Sequence, residues 1–325
     1  MSNILEIKEL SVAYHTEDGT VYALNNIDLE LEDGETLGLV GETGAGKTTL
    51  AKSIMRLLPV PPTKIECGDI IFSGENITYM DDEEIRAIRG NKISMIFQDP
   101  MSALNPVLTV GEQIKEAILA HHNISEDEAW NKSLEMLETV GITKNRASDY
   151  PHQFSGGMKQ RVIIAIALAC NPQILLADEP TTALDVTIQA QVLAMMRELK
   201  EKFNTATILI THDLGIVAQM CEKVAIIYAG EIVEVGNVHD IFKNTAHPYT
   251  KGLLEAIPSI YTDCKRLKPI DGLMPDPTIR HKGCAFSERC IYCDDICMHN
   301  QPPAVQSVGT DHKVRCWKPL CSTLS

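Results

Sequence analysis

Eight residues, Gly41-Glu42-Thr43-Gly44-Ala45-Gly46-Lys47-Thr48, fit the spacing GxxxxGK[ST] between an apolar run and a helical stretch. Glycines there let the backbone amides of residues 43 to 48 curl around phosphate oxygens, and the helix start adds its positive end. The predicted binding set is Gly41, Thr43, Gly44, Ala45, Gly46, Lys47, Thr48 and Thr49. Lys47 is expected on the β and γ phosphates of a nucleotide, and the Thr48 hydroxyl on magnesium. Farther along, the apolar run Ile174-Leu-Leu-Ala ends in Asp178 and Glu179. A buried strand delivers its last side chains to the sheet edge where such a cradle sits. Asp178 is then the magnesium partner and Glu179 the general base that polarises an attacking water. Between these elements lies Phe154-Ser-Gly-Gly-Met-Lys-Gln-Arg161, running into VIIAIALA. Ser155, Gly156 and Gly157 at that helix start form a second anion site. One nucleotide cannot fill two cradles in one small domain, so the pattern predicts a dimer in which each such helix caps the nucleotide of the opposite subunit.

Positioning these residues requires alternating strands and helices. Leu5 and Ile7, then Leu10, Val12 and Tyr14, alternate with polar residues, as do Ile27, Leu29 and Leu31, with EDGT and EDGE as turns. TLGLV reads as a strand feeding the glycine loop and the helix TTLAKSIMRLL. Strands also read at 174 to 177, 206 to 211 and 224 to 229, with a helix at TIQAQVLAMMRELKEKF. This alternation predicts an α/β fold with a parallel sheet. Between Asp99 and Met158 only helical spacing appears, at EQIKEAILAHH and EAWNKSLEMLETV, which predicts an inserted helical subdomain at about 99 to 158. From about Pro258 prolines recur and periodicity fades. The expected division is an ATPase domain at 1 to 255 and a small C-terminal extension at 256 to 325, too poor in apolar residues for a core of its own.

The 325 residues carry a formal net charge of −15, with 44% hydrophobic and 22% charged residues. That balance is of a globular protein in solution, and its sign argues against broad affinity for nucleic acid or anionic lipid. No apolar stretch reaches the roughly 20 residues of a membrane span, and the first residues lack a secretory pattern, so the cytoplasm is expected. Cys67, Cys170 and Cys221 are scattered and read as small buried apolar side chains. Seven more cysteines lie between Cys264 and Cys321. Cys284, Cys290, Cys297 and Cys316 on irregular backbone suit either a tetrahedral zinc site or an iron-sulfur cluster. Cys293, which makes CxxC with Cys290, competes as a ligand; Cys264 and Cys321 are expected to stay unligated.

Together these elements resemble the ABC ATPase family over roughly residues 4 to 255. Its motifs occur in order: the glycine cradle, Gln98 after ISMIF, the SGG signature, the Asp178–Glu179 pair, TALD ending at Asp185, and ITHD containing His212. The resemblance implies a P-loop ATPase with an antiparallel β subdomain. It gives Gln98 a role at the magnesium and the attacking water, Asp185 a contact with the opposite subunit, and His212 a contact with the γ phosphate. Tyr14 resembles the aromatic residue that stacks on adenine, although its parity with Leu10 and Val12 also fits a core residue. The signature departs from LSGGQ by Phe154 and Met158.

QFSGGMKQRV, HPYTKGLLEAIP and the cysteine-bearing tail resemble the ATPase subunits of oligopeptide and dipeptide importers, a branch that also contains nickel and metallophore importers. That resemblance implies ATP hydrolysis at the cytoplasmic face of the membrane. It implies a second, different ATPase as partner, with a homodimer possible in isolation. Two membrane permeases and, indirectly, an extracytoplasmic binding protein complete the complex. It also favours a [4Fe-4S] cluster over zinc at the four cysteines. A non-transport ABC ATPase acting on DNA or ribosomes is the rival from another class, opposed by the acidic charge and the lack of a long coiled coil.

Overall fold

The computed structural model describes residues 3–99, 103–182, 184–256, 269–302 and 306–320. Along the chain come β1 (Asn3–Thr16), β2 (Gly19–Glu32), β3 (Thr36–Val40), β4 (Thr63–Phe72) and β5 (Glu75–Asn76). Then follow β6 (Ile93–Ile96), β7 (Ile174–Asp178), β8 (Ala206–Thr211), β9 (Lys223–Tyr228), β10 (Glu231–Asn237), β11 (Gln306–Ser307) and β12 (Lys313–Val314). The chain forms two compact units, one of residues 1–4, 32–35 and 79–210, the other of 5–31, 36–78 and 211–325.

In the second unit, β2-β1-β4-β5 make an antiparallel sheet. The apolar pattern of β1 skips from Ile7 to Leu10, and the backbone records the skip. Glu9 turns to φ 49°, the register against β4 shifts between Lys8 and Ser11, and Leu10 and Val12 stay in the core. One extra residue thus restores burial on both sides of the irregularity. β3 lies parallel to β9, β10 pairs antiparallel with β9, and β12 adds antiparallel to β10 through Glu234↔Val314 and Val235↔Lys313. The helix expected over TTLAKSIMRLL spans only Lys47–Ile54, with Arg56 at φ 49°. The left-handed turn at Arg56 breaks the helix, and Pro59 disfavours helical backbone at Leu58, so the end of the expected run does not continue it.

In the first unit β6, β7 and β8 are parallel neighbours, with Ile93 opposite Ile174 and Asp178 opposite Ile210. No strand interrupts the described residues between β6 and β7. The helices Val110–Leu119, Glu126–Thr139 and Gly156–Leu168 fill that interval, each with an oxygen cap from Thr109, Ser125 or Ser155. The helical insertion is therefore present.

The extension shares the core of the second unit. Phe286 packs among Tyr228, Tyr249, Val233 and Ile241, with ring centroids 5.2 Å from Tyr228 and 5.4 Å from Tyr249. Such edge-on and tilted aromatic contacts replace the separate core the segment cannot build. One expectation fails: Cys67 is exposed, its thiol directed at the Glu9 carbonyl at 3.5 Å, because it faces the β1 irregularity rather than the interior. Cys170 is buried and Cys221 partly so. Cys264 and Cys321 lie outside the described residues.

Candidate nucleotide site and its C-terminal flank

In the second unit β3 ends at the glycine cradle. A Cβ on Gly41 would sit 2.2 Å from the Ile227 carbonyl, and Gly46, at φ 107°, would place one 2.8 Å from the Ala23 carbonyl. Only glycine permits that approach. Gly46 is also the cap of the helix Lys47–Ile54 and offers no side-chain oxygen there, and a helix start directs its amides and its positive end toward an anion. Lys47 is buried, and its ammonium donates to the Gly41 carbonyl at 2.7 Å and the Glu42 carbonyl at 2.8 Å. Tyr14 and Thr49 share a hydrogen bond of 3.3 Å between their hydroxyls, so the aromatic ring of β1 stands beside the helix start. Tyr14 is half-buried, unlike Leu10 and Val12, which are closed into the core. His212 follows β8 with its side chain exposed, and Asp213 caps the next helix through the Gly215 and Ile216 amides.

In the first unit β7 delivers Asp178, 2% exposed, and then Glu179. Glu179 adopts φ 47°, a left-handed conformation uncommon outside glycine. Its amide donates to the Ile210 carbonyl at 2.9 Å, which locks the turn to β8. Its carboxylate accepts from the Gln98 amide at 3.0 Å and the Thr182 hydroxyl at 2.9 Å. Gln98 and Glu179, predicted separately, thus meet; Thr182 was not predicted, and its only sequence signal is its place three residues after Glu179. Asp178 and the Thr48 hydroxyl are hard oxygen donors, the type that magnesium prefers.

Ser155 is exposed and caps the helix Gly156–Leu168 by accepting from the Met158 amide at 3.4 Å. A Cβ on Gly157 would meet the Ile188 side chain at 2.3 Å, whereas on Gly156 the nearest atom is Leu184 at 3.6 Å. Both departures from LSGGQ are engaged by Arg146, whose guanidinium lies 4.3 Å from the Phe154 ring centroid and donates to the Met158 sulfur at 3.5 Å. Asp185, exposed, caps the helix Val186–Phe203 through the Ile188 amide at 3.0 Å.

The C-terminal segment reaches the cradle through side chains that sequence reasoning passed over. Arg289 donates to both carboxylate oxygens of Glu42, at 2.8 and 3.1 Å, and the Glu42 amide donates to the Tyr249 hydroxyl at 3.0 Å. Tyr249 belongs to the HPYT pattern, which marks the place without disclosing the contact. Burial raises the phenol of Tyr249 well above its ordinary range, so it stays protonated. The neighbouring His247 is fully buried, and burial lowers its imidazole from 6.5 to about 4.

Cys284, Cys290, Cys297 and Cys316 gather in the same unit. The Cys284 amide donates to the Cys297 carbonyl at 2.7 Å, and the Cys316 sulfur accepts from the Lys318 amide at 3.3 Å. Burial pushes the Cys284 thiol up to about 12 and Cys316 up to about 11, and each also feels Cys290. Burial raises the Cys293 thiol, which also feels Cys297, Cys290 and Asp294, and its sulfur is directed at the Asp294 carbonyl at 3.6 Å. Among the described residues no three His, Cys, Asp or Glu side chains close on one ion position.

A glycine cradle with its buried lysine, a strand-end Asp-Glu pair held by a glutamine, and a serine-capped SGG helix define an ABC-type ATPase. Comparison agrees: the family model "ABC transporter" matches residues 24–182, and "Oligopeptide/dipeptide transporter, C-terminal region" matches 233–297. The chain is 48% identical over 320 residues to the dipeptide transport ATP-binding protein DppD of Bacillus subtilis, covering 98% of this chain and 95% of that one. It is 45% identical over 320 residues to the oligopeptide transport ATP-binding protein OppD of the same organism, covering 98% and 89%. The dimeric, ADP- and phosphate-bound ATP-binding cassette MJ0796 superposes with a TM-score of 0.65 at 30% identity, over 72% of this chain and 98% of that one. The chain belongs to the ATP-binding proteins of the oligopeptide/dipeptide ABC transporter family.

Proposed function

We propose that this chain is the ATP-hydrolysing subunit that powers import of dipeptides or oligopeptides, one of two ATPases bound to two membrane permeases. The observation that carries the reading is Glu179, held in left-handed backbone at the strand end with its carboxylate on Gln98 and Thr182. Glu179 takes the proton of the attacking water, while Gln98 orients both. Asp178 and Thr48 would hold magnesium, which draws charge from the phosphates when bound. Lys47 leaves its carbonyl partners for the β and γ phosphates, His212 meets the γ phosphate, and Tyr14 stacks on adenine. Ser155, Gly156, Gly157 and Asp185 serve the nucleotide of the opposite ATPase, a different chain in the cell. The motor unit is 1–255, with the helical subdomain at about 99–158, and 256–325 is the extension. No helix among the described residues is long and apolar enough to cross a membrane; the complex sits at the cytoplasmic face through the permeases. An extracytoplasmic binding protein delivers the cargo. Glu179→Gln should bind Mg-ATP yet turn over on the order of 10²- to 10⁴-fold more slowly in the assembled complex. Near-normal turnover would remove Glu179 as the base.

The cysteine quartet belongs to the same reading as the ligand set of a [4Fe-4S] cluster. A zinc site draws four sulfurs to within about 4 Å of one another. A cluster takes one thiolate per iron, four in all, and the likeness of the C-terminal region to the oligopeptide/dipeptide transporter branch is what favours it over zinc. Anaerobically purified protein should be brown, with about four irons per chain. Replacing Cys284, Cys290, Cys297 or Cys316 with Ser should abolish the colour, and replacing Cys293 should not. Stoichiometric zinc without iron would reject the cluster and leave the ATPase reading intact.

A further inference from the structure

Glu42 is an odd residue for a loop that receives a triphosphate, because its carboxylate adds negative charge where anions must bind. All of its polar groups are taken. The amide donates to the Tyr249 hydroxyl, the carbonyl accepts from Lys47 at 2.8 Å, and both carboxylate oxygens accept from Arg289. Tyr249 and Arg289 come from the chain's C-terminal third, and Arg289 lies directly before Cys290.

Arg289 is itself fully committed. Its side chain is 6% exposed, and its Nε donates to the Asp271 carbonyl at 3.0 Å. Besides Glu42, its terminal nitrogens donate to the Tyr228 hydroxyl and the Ile270 carbonyl, each at 3.3 Å. These contacts match the five N–H donors of a guanidinium. Three hold the fork in place and two present it to Glu42. Paired donors fix a carboxylate's orientation as well as offsetting its charge.

The same stretch of the extension grips the antiparallel sheet. The Tyr22 amide donates to the Pro277 carbonyl at 2.8 Å, Arg280 lies 4.3 Å from the Tyr22 ring centroid, and Arg280 donates to Glu66 at 3.0 Å. Residues 270–290 therefore strap the phosphate loop to the sheet that carries Tyr14.

We propose that Arg289 is a positioning residue of the phosphate loop: it neutralises and orients Glu42, so that ATP affinity is set in part by the C-terminal extension. This rests on the ATPase reading above. Without Arg289 the Glu42 carboxylate faces the triphosphate uncompensated, and Coulomb repulsion across about 8 Å at an effective dielectric near 20 weakens binding roughly 10- to 30-fold.

The test is Mg-ATP titration of the full-length chain, followed by ATPase kinetics in the assembled transporter. Arg289→Ala should weaken Mg-ATP binding about tenfold and raise KM with kcat nearly unchanged. Arg289→Lys, which keeps charge but loses the fork, should fall between. The decisive variant adds Glu42→Gln to Arg289→Ala: removing the unpaired charge should restore most of the affinity. Unchanged affinity in Arg289→Ala overturns the proposal. So does a double variant as weak as Arg289→Ala, which would reduce the arginine to packing. If Arg289→Ala does not fold, wild-type affinity in Arg289→Lys overturns it equally. A wild-type chain that bound no Mg-ATP would instead overturn the ATPase reading and this inference with it.

Discussion

Glu179 accepts hydrogen bonds from the Gln98 amide and the Thr182 hydroxyl, whereas Glu42 gives both carboxylate oxygens to a guanidinium. Neutral donors leave a carboxylate its charge and its capacity to take a proton, and an arginine cancels the charge. A third residue, His247, is defined by burial. Its Nδ1 accepts the Tyr249 amide at 3.0 Å, which requires a neutral ring, and burial lowers its value from 6.5 to about 4. The unfolded chain therefore binds more protons than the folded one between those values. The contribution of His247 to stability is complete above pH 6.5 and falls as pH drops toward 4, by up to about 3 kcal/mol. Urea midpoints from pH 7.5 to 5 should show this slope, and His247→Asn, which keeps an acceptor at the helix cap, should flatten it. An equal slope in both proteins would assign the acid sensitivity to other groups. Glu179 and Lys47 were legible because their motifs constrain several neighbours at once. Arg289 was not: its partner Glu42 is 247 residues away, and a single arginine in a proline-rich tail has no spacing to read.

Elements were legible where burial imposes a period. The strands at 36–40, 174–178 and 206–211 end within a residue of their apolar runs. Even the break in β1 was visible, as the step from Ile7 to Leu10, although only the backbone discloses that Glu9 absorbs it. β4 went unremarked because TKIECGDIIF carries a glycine and charges through a half-exposed sheet. The signature helix was legible in its glycines and opaque in its variation. Phe154 and Met158 looked like two departures from LSGGQ, and around Arg146 they are one adaptation, because a guanidinium stacks on an aromatic ring and tolerates a soft sulfur.

At the scale of the molecule, the extension was expected as a small appendage stabilised by ligands. Its four cysteines could be read in the sequence as a candidate ligand set, but its destination could not, since nothing in a proline-rich sequence states which surface it covers. It joins the aromatic core of the second unit through Phe286, and β12 lies against β10 with β11 outside it. That final contact has a consequence for how the chain ages. β10 carries Ile232, Val233 and Val235, and its outer side is closed by the two-residue β12 together with the Arg315 amide, which donates to the Val233 carbonyl at 2.8 Å. An uncovered strand of that composition is a template for a second copy. Proteolytic loss of residues after about 300 should therefore appear first as concentration-dependent self-association, seen by light scattering, while the clipped chain still binds ATP. A truncated chain that stayed monomeric at high concentration would show the seam to be dispensable. The tail's end thus protects solubility, and its wear would be felt as aggregation before it was felt as a failure of the motor.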